Sequence, residues 1–186
     1  MIFTVGHSTR AQEELIAILK EAGVALLVDV RRFPGSRRHP QFGKERLRAA
    51  LAAEGIGYRH EPDLGGRREP RADSPNTAWR MAAFRGYADH MASPEFASGR
   101  ERLIAEQALP PAVMCAEALP ANCHRQLIAD ALVARGVEVV HLLAPGRRQP
   151  HVLHSAAVAG PDGILVYPGP KRTGHVDSGP ARSTNG

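Results

Sequence analysis

The chain has 186 residues, 43% of them hydrophobic, with a formal charge of +5, so it is long enough to bury a full core and is basic overall. No apolar run approaches the roughly 20 residues of a membrane helix, residues 1–6 lack the basic start and long apolar stretch of a secretory signal, and two cysteines make no disulfide framework. The composition therefore predicts a cytoplasmic protein with reduced thiols and no membrane partner.

Residues 2–5 read as a short buried strand. Thr9 and Gln12 have capping-box spacing, and Leu15, Ile18, Leu19 and Ala22 follow the periodicity of an amphipathic helix that Gly23 closes. Residues 26–30 form the second apolar run. A loop through Phe33-Pro34-Gly35-Ser36 leads to a helix with Leu47, Ala50 and Leu51 inward and Gly55 past its end, and residues 56–60 predict a third strand. Residues 64–76 are polar, glycine-bearing and twice interrupted by proline, which marks a long loop of the functional or disordered kind. Phe84, Tyr87, Ala88 and Met91 mark another helix. Ser93-Pro94-Glu95 then supplies an N-cap, a proline at the first helical position and an acidic first turn for the next, carried by Phe96, Leu103 and Ile104. Residues 112–115 and 137–142 predict the fourth and fifth strands, with a helix opened by Asn122 and closed by Gly136 between them. Residues 152–167 read as a terminal strand or hairpin around Pro161-Asp162-Gly163. Residues 1–168 are expected as a single α/β domain, and residues 169–186, rich in Gly, Pro, Ser and Thr, as a disordered tail. Strands alternating with helices predict a three-layer α/β fold, a mostly parallel sheet flanked by helices.

Each apolar run ends in residues that carry chemistry: His7-Ser8, then Asp29 and Arg31, then His60-Glu61, then Cys115 and Glu117, then His141. In open α/β sheets the ligand crevice lies beyond the carboxyl ends of the strands. Parallel strands would thus turn these side chains toward one cleft. Residues 115–125 are the densest stretch, with both cysteines, Glu117, His124 and Arg125. A thiol beside a histidine, an arginine and a helix N-terminus has its thiolate favoured. The candidate catalytic residues are Cys123 as nucleophile or polariser, with His124, Glu117 and Asp29 managing protons and His7 beside them.

All but Lys20, Lys44 and Lys171 of the 24 basic residues are arginine, whose planar donor fork suits phosphate and carboxylate. Arg31, Arg37, Arg38, Arg67 and Arg125 are the candidate anion clamp, with Ser8, Gly65 and Gly66 as further ligand-binding positions. Three readings follow. One is an enzyme acting on a phosphorylated or otherwise anionic small molecule, a nucleotide or nucleic-acid component. Another is a non-catalytic nucleic-acid-binding module using Trp79-Arg80, Phe84-Arg85 and Tyr87. The third is a thiol or metal site, with zinc held by Cys115, Cys123 and His124 and a fourth ligand such as His7, although that spacing matches no recognised zinc motif and adjacent residues seldom ligate together. Plainer roles stand beside these: Cys115 as a packed strand residue, Arg125 paired with Glu117 or Asp29, Asp29 paired with Arg31, and Phe84 and Tyr87 as core. The residues identify no cofactor and no oligomeric state.

Gly6-His7-Ser8-Thr9, Leu27-Val28-Asp29-Val30-Arg31, Phe33-Pro34-Gly35-Ser36-Arg37-Arg38 and Pro40-Gln41-Phe42 come in order. Leu64-Gly65-Gly66, Asn76-Thr77-Ala78-Trp79-Arg80, Phe84-Arg85-Gly86-Tyr87-Ala88, Cys115-Ala116-Glu117, Cys123-His124-Arg125 and His141-Leu142 follow. Together they resemble the bacterial domain-of-unknown-function family 488 over about residues 1–168. The resemblance implies an enzyme-like α/β domain and leaves the reaction open. A strand ending Asp29-Val30-Arg31, and a later strand ending in cysteine before a helix, is also similar to rhodanese-type sulfurtransferases. Those wrap backbone donors around an anion in a loop closed by an arginine soon after the cysteine. Here Pro120 and Ala121 occupy the corresponding places, and Arg125 comes later.

Overall fold

Alternation of apolar side chains along four short strands gives the sheet two buried faces. In the computed structural model, which describes residues 1–35, 38–106, 109–160 and 162–170, Phe3, Val5, Leu27, Ala112, Met114, Val140 and Leu142 pack on one face. Ile2, Val28, Val30, Val113, Cys115 and Val139 pack on the other. The strands are β1 (Ile2–Gly6), β2 (Leu26–Asp29), β3 (Gly57–His60), β4 (Pro111–Cys115) and β5 (Val139–Ala144), followed by β6 (Arg147–Pro150). They form one sheet in the order β3-β2-β4-β1-β5-β6, parallel throughout except that β6 runs antiparallel to β5.

Helices α1 (Gln12–Glu21) and α2 (Lys44–Ala53) cover the first face with Leu15, Ile18, Leu19, Leu47 and Leu51. Helices α3 (Ala82–His90), α4 (Pro94–Ala105) and α5 (Arg125–Val133) cover the second. The result is the three-layer α/β arrangement that the alternation of elements predicts. The chain leaves β1 and β2 toward the first face and β4 toward the second. Since β4 lies between β1 and β2, the connections diverge on either side of it and open a crevice at the carboxyl edge.

Several local readings hold. The Ser93 hydroxyl accepts from the Phe96 N–H at the start of α4. A two-stranded hairpin, β7 (Val158–Ala159) and β8 (Leu165–Val166), turns through Gly163 at φ 73°. Others differ. α1 begins at Gln12 with Ala11 as its cap, so Thr9 and Gln12 form no capping box; the Gln12 amide donates instead to the Gln41 carbonyl at 2.6 Å. α5 begins at Arg125 and not after Asn122, because Pro120–Asn122 form a 3₁₀ turn and Cys123 is extended. Strand β6 carries no apolar pattern, all four residues being exposed, and hydrogen bonding to β5 past the turn at Gly146 defines it. Within the expected tail, the Gly169 N–H is hydrogen-bonded to the Thr77 hydroxyl at 2.9 Å, and residues 171–186 lie outside the described residues.

Candidate active site at the carboxyl edge of the sheet

A cleft of about 430 Å³ opens where the connections diverge. His7 lines it from the end of β1, Arg31, Arg32, Phe33, Gly35 and His39 from the segment after β2, Gly66 and Arg67 from the long loop, and Cys115, Ala116, Glu117 and His124 from the segment between β4 and α5. Of the strand-end residues expected here, His7, Arg31, Cys115 and Glu117 meet in the cleft, whereas Ser8, Asp29, His60, Glu61 and His141 do not line it: His60 Nε2 lies 2.9 Å from the Arg31 carbonyl, Glu61 accepts from Arg102, and His141 turns to Thr4 and His151. The loop after β4 lies across the end of β1, where the N–H groups of His7 and Ser8 donate to the carbonyls of Cys115 and Ala116. This closeness needs a glycine at position 6: a Cβ there would lie 1.8 Å from the Glu117 carbonyl oxygen.

One wall is an ion pair. The Arg31 Nε donates to Asp29 Oδ1 at 2.9 Å, the Arg31 Nη2 donates to the other carboxylate oxygen and to the Phe42 carbonyl, and the Tyr58 hydroxyl donates to Asp29 at 2.7 Å. Asp29 is fully buried and does not line the cleft. Its oxygens are taken up by the Arg31 backbone N–H, the Arg31 guanidinium and the Tyr58 hydroxyl, so it positions that guanidinium and is not placed to take a proton from a ligand. The remaining Arg31 nitrogen, Nη1, lies 3.3 Å from His7 Nε2. Arginine can only donate, so Nε2 accepts, and His7 Nδ1 carries the proton that it gives to the Ser8 carbonyl at 2.9 Å. Burial, opposed by that backbone bond and reinforced by Arg31, lowers the His7 pKa to about 4, so the ring is neutral at physiological pH.

The other wall is sulfur. Cys115, at 8% exposure, faces the cleft; Cys123, at 3%, sits behind it. The thiol nearest a ligand is thus Cys115, whereas the sequence points to Cys123. The reason is the extended backbone at Cys123, which turns its side chain under the loop before the helix begins. His124 Nδ1 lies 3.9 Å from Cys115 Sγ and 3.7 Å from Cys123 Sγ, and its Nε2 lies 3.2 Å from the Val30 carbonyl. Gly66 packs against this ring; a Cβ at that position would lie 2.8 Å from His124 Nδ1. The Cys115 S–H donates to Cys123 and, with His124 and the Arg125 guanidinium, holds the Cys123 thiol well below its usual range against the effect of burial. The same bond and burial push Cys115 up.

Arg125 does not reach the cleft. It is 1% exposed, and its guanidinium donates to the Glu117 and Ala118 carbonyls, to Cys123 Sγ at 3.4 Å and to the Thr4 hydroxyl at 3.4 Å. The reading of Arg125 as an anion ligand fails on this placement; it shapes the loop that carries Glu117. Thr4 opens a buried polar seam. Its hydroxyl lies 2.7 Å from His141 Nδ1, His141 Nε2 lies 3.0 Å from His151 Nδ1, and His151 Nε2 lies 2.8 Å from Asp130 Oδ1. Asp130 also accepts from the Tyr167 hydroxyl and the His154 N–H. Arginine at one end only donates and carboxylate at the other only accepts. When each ring donates once and accepts once, every bond in the row points from Arg125 toward Asp130.

Of the other expected residues, Gly66, Arg67 and the exposed Glu117 line the cleft, while Ser8, Gly65 and the exposed Arg38 do not, and Arg37 lies outside the described residues. Ser8 and Arg67 flank the site with positive φ values of 49° and 59°, a conformation that non-glycine residues seldom adopt. Sequence reasoning missed Arg32, Phe33 and His39 as lining groups. Phe33 is 64% exposed, and the guanidiniums of Arg32 and Arg67 lie 5.8 and 5.9 Å from its ring centroid. An exposed aromatic between arginines just past a strand end was the available signal. By contrast, Phe84 and Tyr87 are buried and Trp79 stacks on Phe84, which leaves no open aromatic platform there.

With this geometry in place, comparison with known families is decisive for membership. The family described as "Domain of unknown function DUF488" matches residues 11–132, well over half of the chain. The protein belongs to the DUF488 family. The match takes in Asp29, Arg31, Gly66, Arg67, Cys115, Glu117 and the Cys123-His124-Arg125 turn, while His7 and the seam residues His141, His151 and Tyr167 lie outside it. No curated protein and no solved structure matches the chain. Among the described residues of this DUF488 protein, no helix is long and apolar enough to cross a membrane.

Proposed function

We propose that this DUF488 protein is a cytoplasmic enzyme that binds a phosphorylated, anionic small molecule, a nucleotide or nucleic-acid component, in the carboxyl-edge cleft. The observation that carries the reading is the composition of that cleft. Arg31, Arg32 and Arg67 line it together with Cys115, His124 and the exposed Glu117 carboxylate. Arg32 and Arg67 meet the charge at the rim, and Phe33 between them offers a face on which a planar base stacks. Arg31, already fixed by Asp29, adds charge at the floor at no further cost in ordering. Glu117 is the proton carrier within reach of a ligand held there.

The test is a thermal-shift screen of nucleoside phosphates, sugar phosphates and inorganic pyrophosphate at low salt, followed by turnover assays of the stabilising compounds. Stabilisation that fades with salt and is lost in the Arg32→Gln, Arg67→Gln double variant is the expected result, with turnover abolished in Glu117→Gln. A full screen without stabilisation rejects the reading.

A second hollow of about 330 Å³ shares Arg32 and Arg67 with the cleft and adds Arg68 and Arg71, with Glu69 and Asp89 among its walls. It favours a longer, polyanionic ligand, as in the nucleic-acid-binding reading. Oligonucleotide binding with a steep salt dependence, unchanged by Glu117→Gln, would select that reading over catalysis.

A further inference from the structure

The two sulfurs and the imidazole converge more tightly than packing requires. The ligand atoms of Cys115, Cys123 and His124 all lie within 4.8 Å of one another. We propose that Cys115, Cys123 and His124 form a zinc site of the two-cysteine, one-histidine kind, with its fourth position open to the cleft.

Zinc–sulfur bonds of about 2.3 Å and zinc–nitrogen bonds of about 2.05 Å at tetrahedral angles put S···N edges at about 3.6 Å. The observed S···N edges are 3.7 Å to Cys123 and 3.9 Å to Cys115, each within a few tenths of an ångström of that value. Adjacent residues seldom aim at one point, because neighbours on a strand face opposite ways. Here the backbone changes between them: Cys123 is extended at φ −136°, ψ 147°, and His124 is helical at φ −57°, ψ −12°. That switch is what brings both side chains of the pair to the same place.

The surroundings fit a metal. His124 Nε2 faces the Val30 carbonyl at 3.2 Å, which can only accept, so in the neutral ring the Nδ1 lone pair is the one turned toward the sulfurs. Histidine ligands to metals commonly have this outer hydrogen bond, which fixes the tautomer and the ring orientation. Arg125 Nε donates to Cys123 Sγ at 3.4 Å, stabilising a thiolate there. Two thiolates and one imidazole are soft and borderline donors that suit zinc over magnesium or calcium. Cys115 and His124 line the cleft while Cys123 is behind it, so the position not taken by protein points toward the ligand space. Three protein ligands and an open site are the pattern of a zinc ion that takes part in chemistry. The use of that open position rests on the proposed anion-binding cleft; the binding of zinc does not.

The test uses the full chain, reduced and freed of metal, titrated with ZnCl₂ and with CoCl₂. One ion per chain is expected, with the cobalt form showing tetrahedral d–d bands and a thiolate charge-transfer band. Cys115→Ser should weaken binding by roughly 100-fold or more and diminish the charge-transfer band. Because a buried Cys123 variant could fail to fold, the wild-type protein provides a further reading: ZnCl₂ should slow alkylation of Cys115 by iodoacetamide. The inference is overturned by binding of less than one ion per chain, by a cobalt spectrum identical in wild type and Cys115→Ser, or by alkylation unaffected by zinc. The Arg32→Gln, Arg67→Gln double variant separates the two readings: it should lose anion stabilisation yet retain zinc. Zinc failing while anions still stabilise the wild type breaks this inference alone.

Discussion

In the seam, Asp130 accepts three hydrogen bonds, the rings of His141 and His151 have both nitrogens engaged, and the row ends on the Thr4 hydroxyl and the Arg125 guanidinium. In the cleft at the carboxyl edge of the sheet, the Glu117 carboxylate is exposed, Cys115 looks into open space, and the guanidiniums of Arg32 and Arg67 reach the rim. Both regions are built from histidine, arginine and carboxylate. The difference lies in residual bonding capacity. A buried polar group whose bonds are all made contributes to stability and has nothing left to offer a ligand. A group with capacity to spare can bind, at some cost in stability. Asp29 and Arg31 stand between the two: the carboxylate is saturated in the manner of the seam, and through it the guanidinium is presented to the cleft.

The strongest way to break this contrast is Asp130→Ala. It removes the acceptor for His151, Tyr167 and the His154 N–H at a fully buried position, and so frees the segment carrying β7 and β8 from α5. A loss of about 3–5 kcal/mol is expected from urea unfolding, with anion stabilisation of the folded protein intact. Glu117→Gln should move stability by no more than about 0.5 kcal/mol. Comparable losses in the two variants would show that the contrast is false.

Next in size is acid. Burial first, then His151 and Arg125, lower the His141 pKa to about 4, with Asp130 opposing them. An unfolded histidine titrates near 6.5, so between about pH 6.5 and 4 the unfolded chain binds the extra proton. Stability is then fully present above about pH 6.5 and falls as the pH drops through that window, by about 3 kcal/mol for a shift of this size. His7 moves in the same direction. Urea midpoints at stepped pH should show this loss in the wild type and a shallower one in His141→Gln. A flat wild-type curve would mean that burial does not hold His141 neutral.

Gly66→Ala sharpens the contrast from the cleft side. The new Cβ would lie 2.8 Å from His124 Nδ1, too close for the ring to stay in place. Overpacking of this kind costs about 1–2 kcal/mol. The turned ring should impair the cleft by more than the stability loss accounts for, measured as turnover on whichever anion the screen identifies.

These effects also show what the sequence could and could not reveal. Apolar runs placed β1, β2, β4 and β5 and their parallel direction, though not their order in the sheet, because parallel strands buried on both faces read as near-continuous apolar runs. The rim of the site was legible for the same reason, since a strand end fixes where the next side chain points. Depth was not. Cys115 and Cys123 exchange their expected places, and Arg125 turns inward, because one extended residue before α5 decides which sulfur faces out. β6 is recorded only in hydrogen bonds to β5, with Arg147, Arg148 and Gln149 exposed. The seam joins Thr4, His141, His151, Asp130 and Tyr167 from four separate stretches, and a long-range polar pairing leaves no periodic trace in any one of them.

The smallest change is the most discriminating. Arg67 holds φ at 59° with a side chain at the rim, a backbone conformation that costs a non-glycine residue about 1 kcal/mol. Its carbonyl accepts from Arg32 Nη1 at 2.7 Å, a bond that any residue at position 67 can keep. Arg67→Gly removes the charge and the strain together, while the added freedom of glycine in the unfolded chain offsets part of the relief. Net stability should therefore rise or stay level, within about 1 kcal/mol. Affinity for a phosphorylated ligand should fall by roughly 10-fold, as loss of one charged hydrogen-bond partner does. A variant that is no less stable yet binds less well would show that the strained arginine is retained for its ligand. A clear loss of stability would instead place Arg67 with the seam, as a residue the fold itself needs.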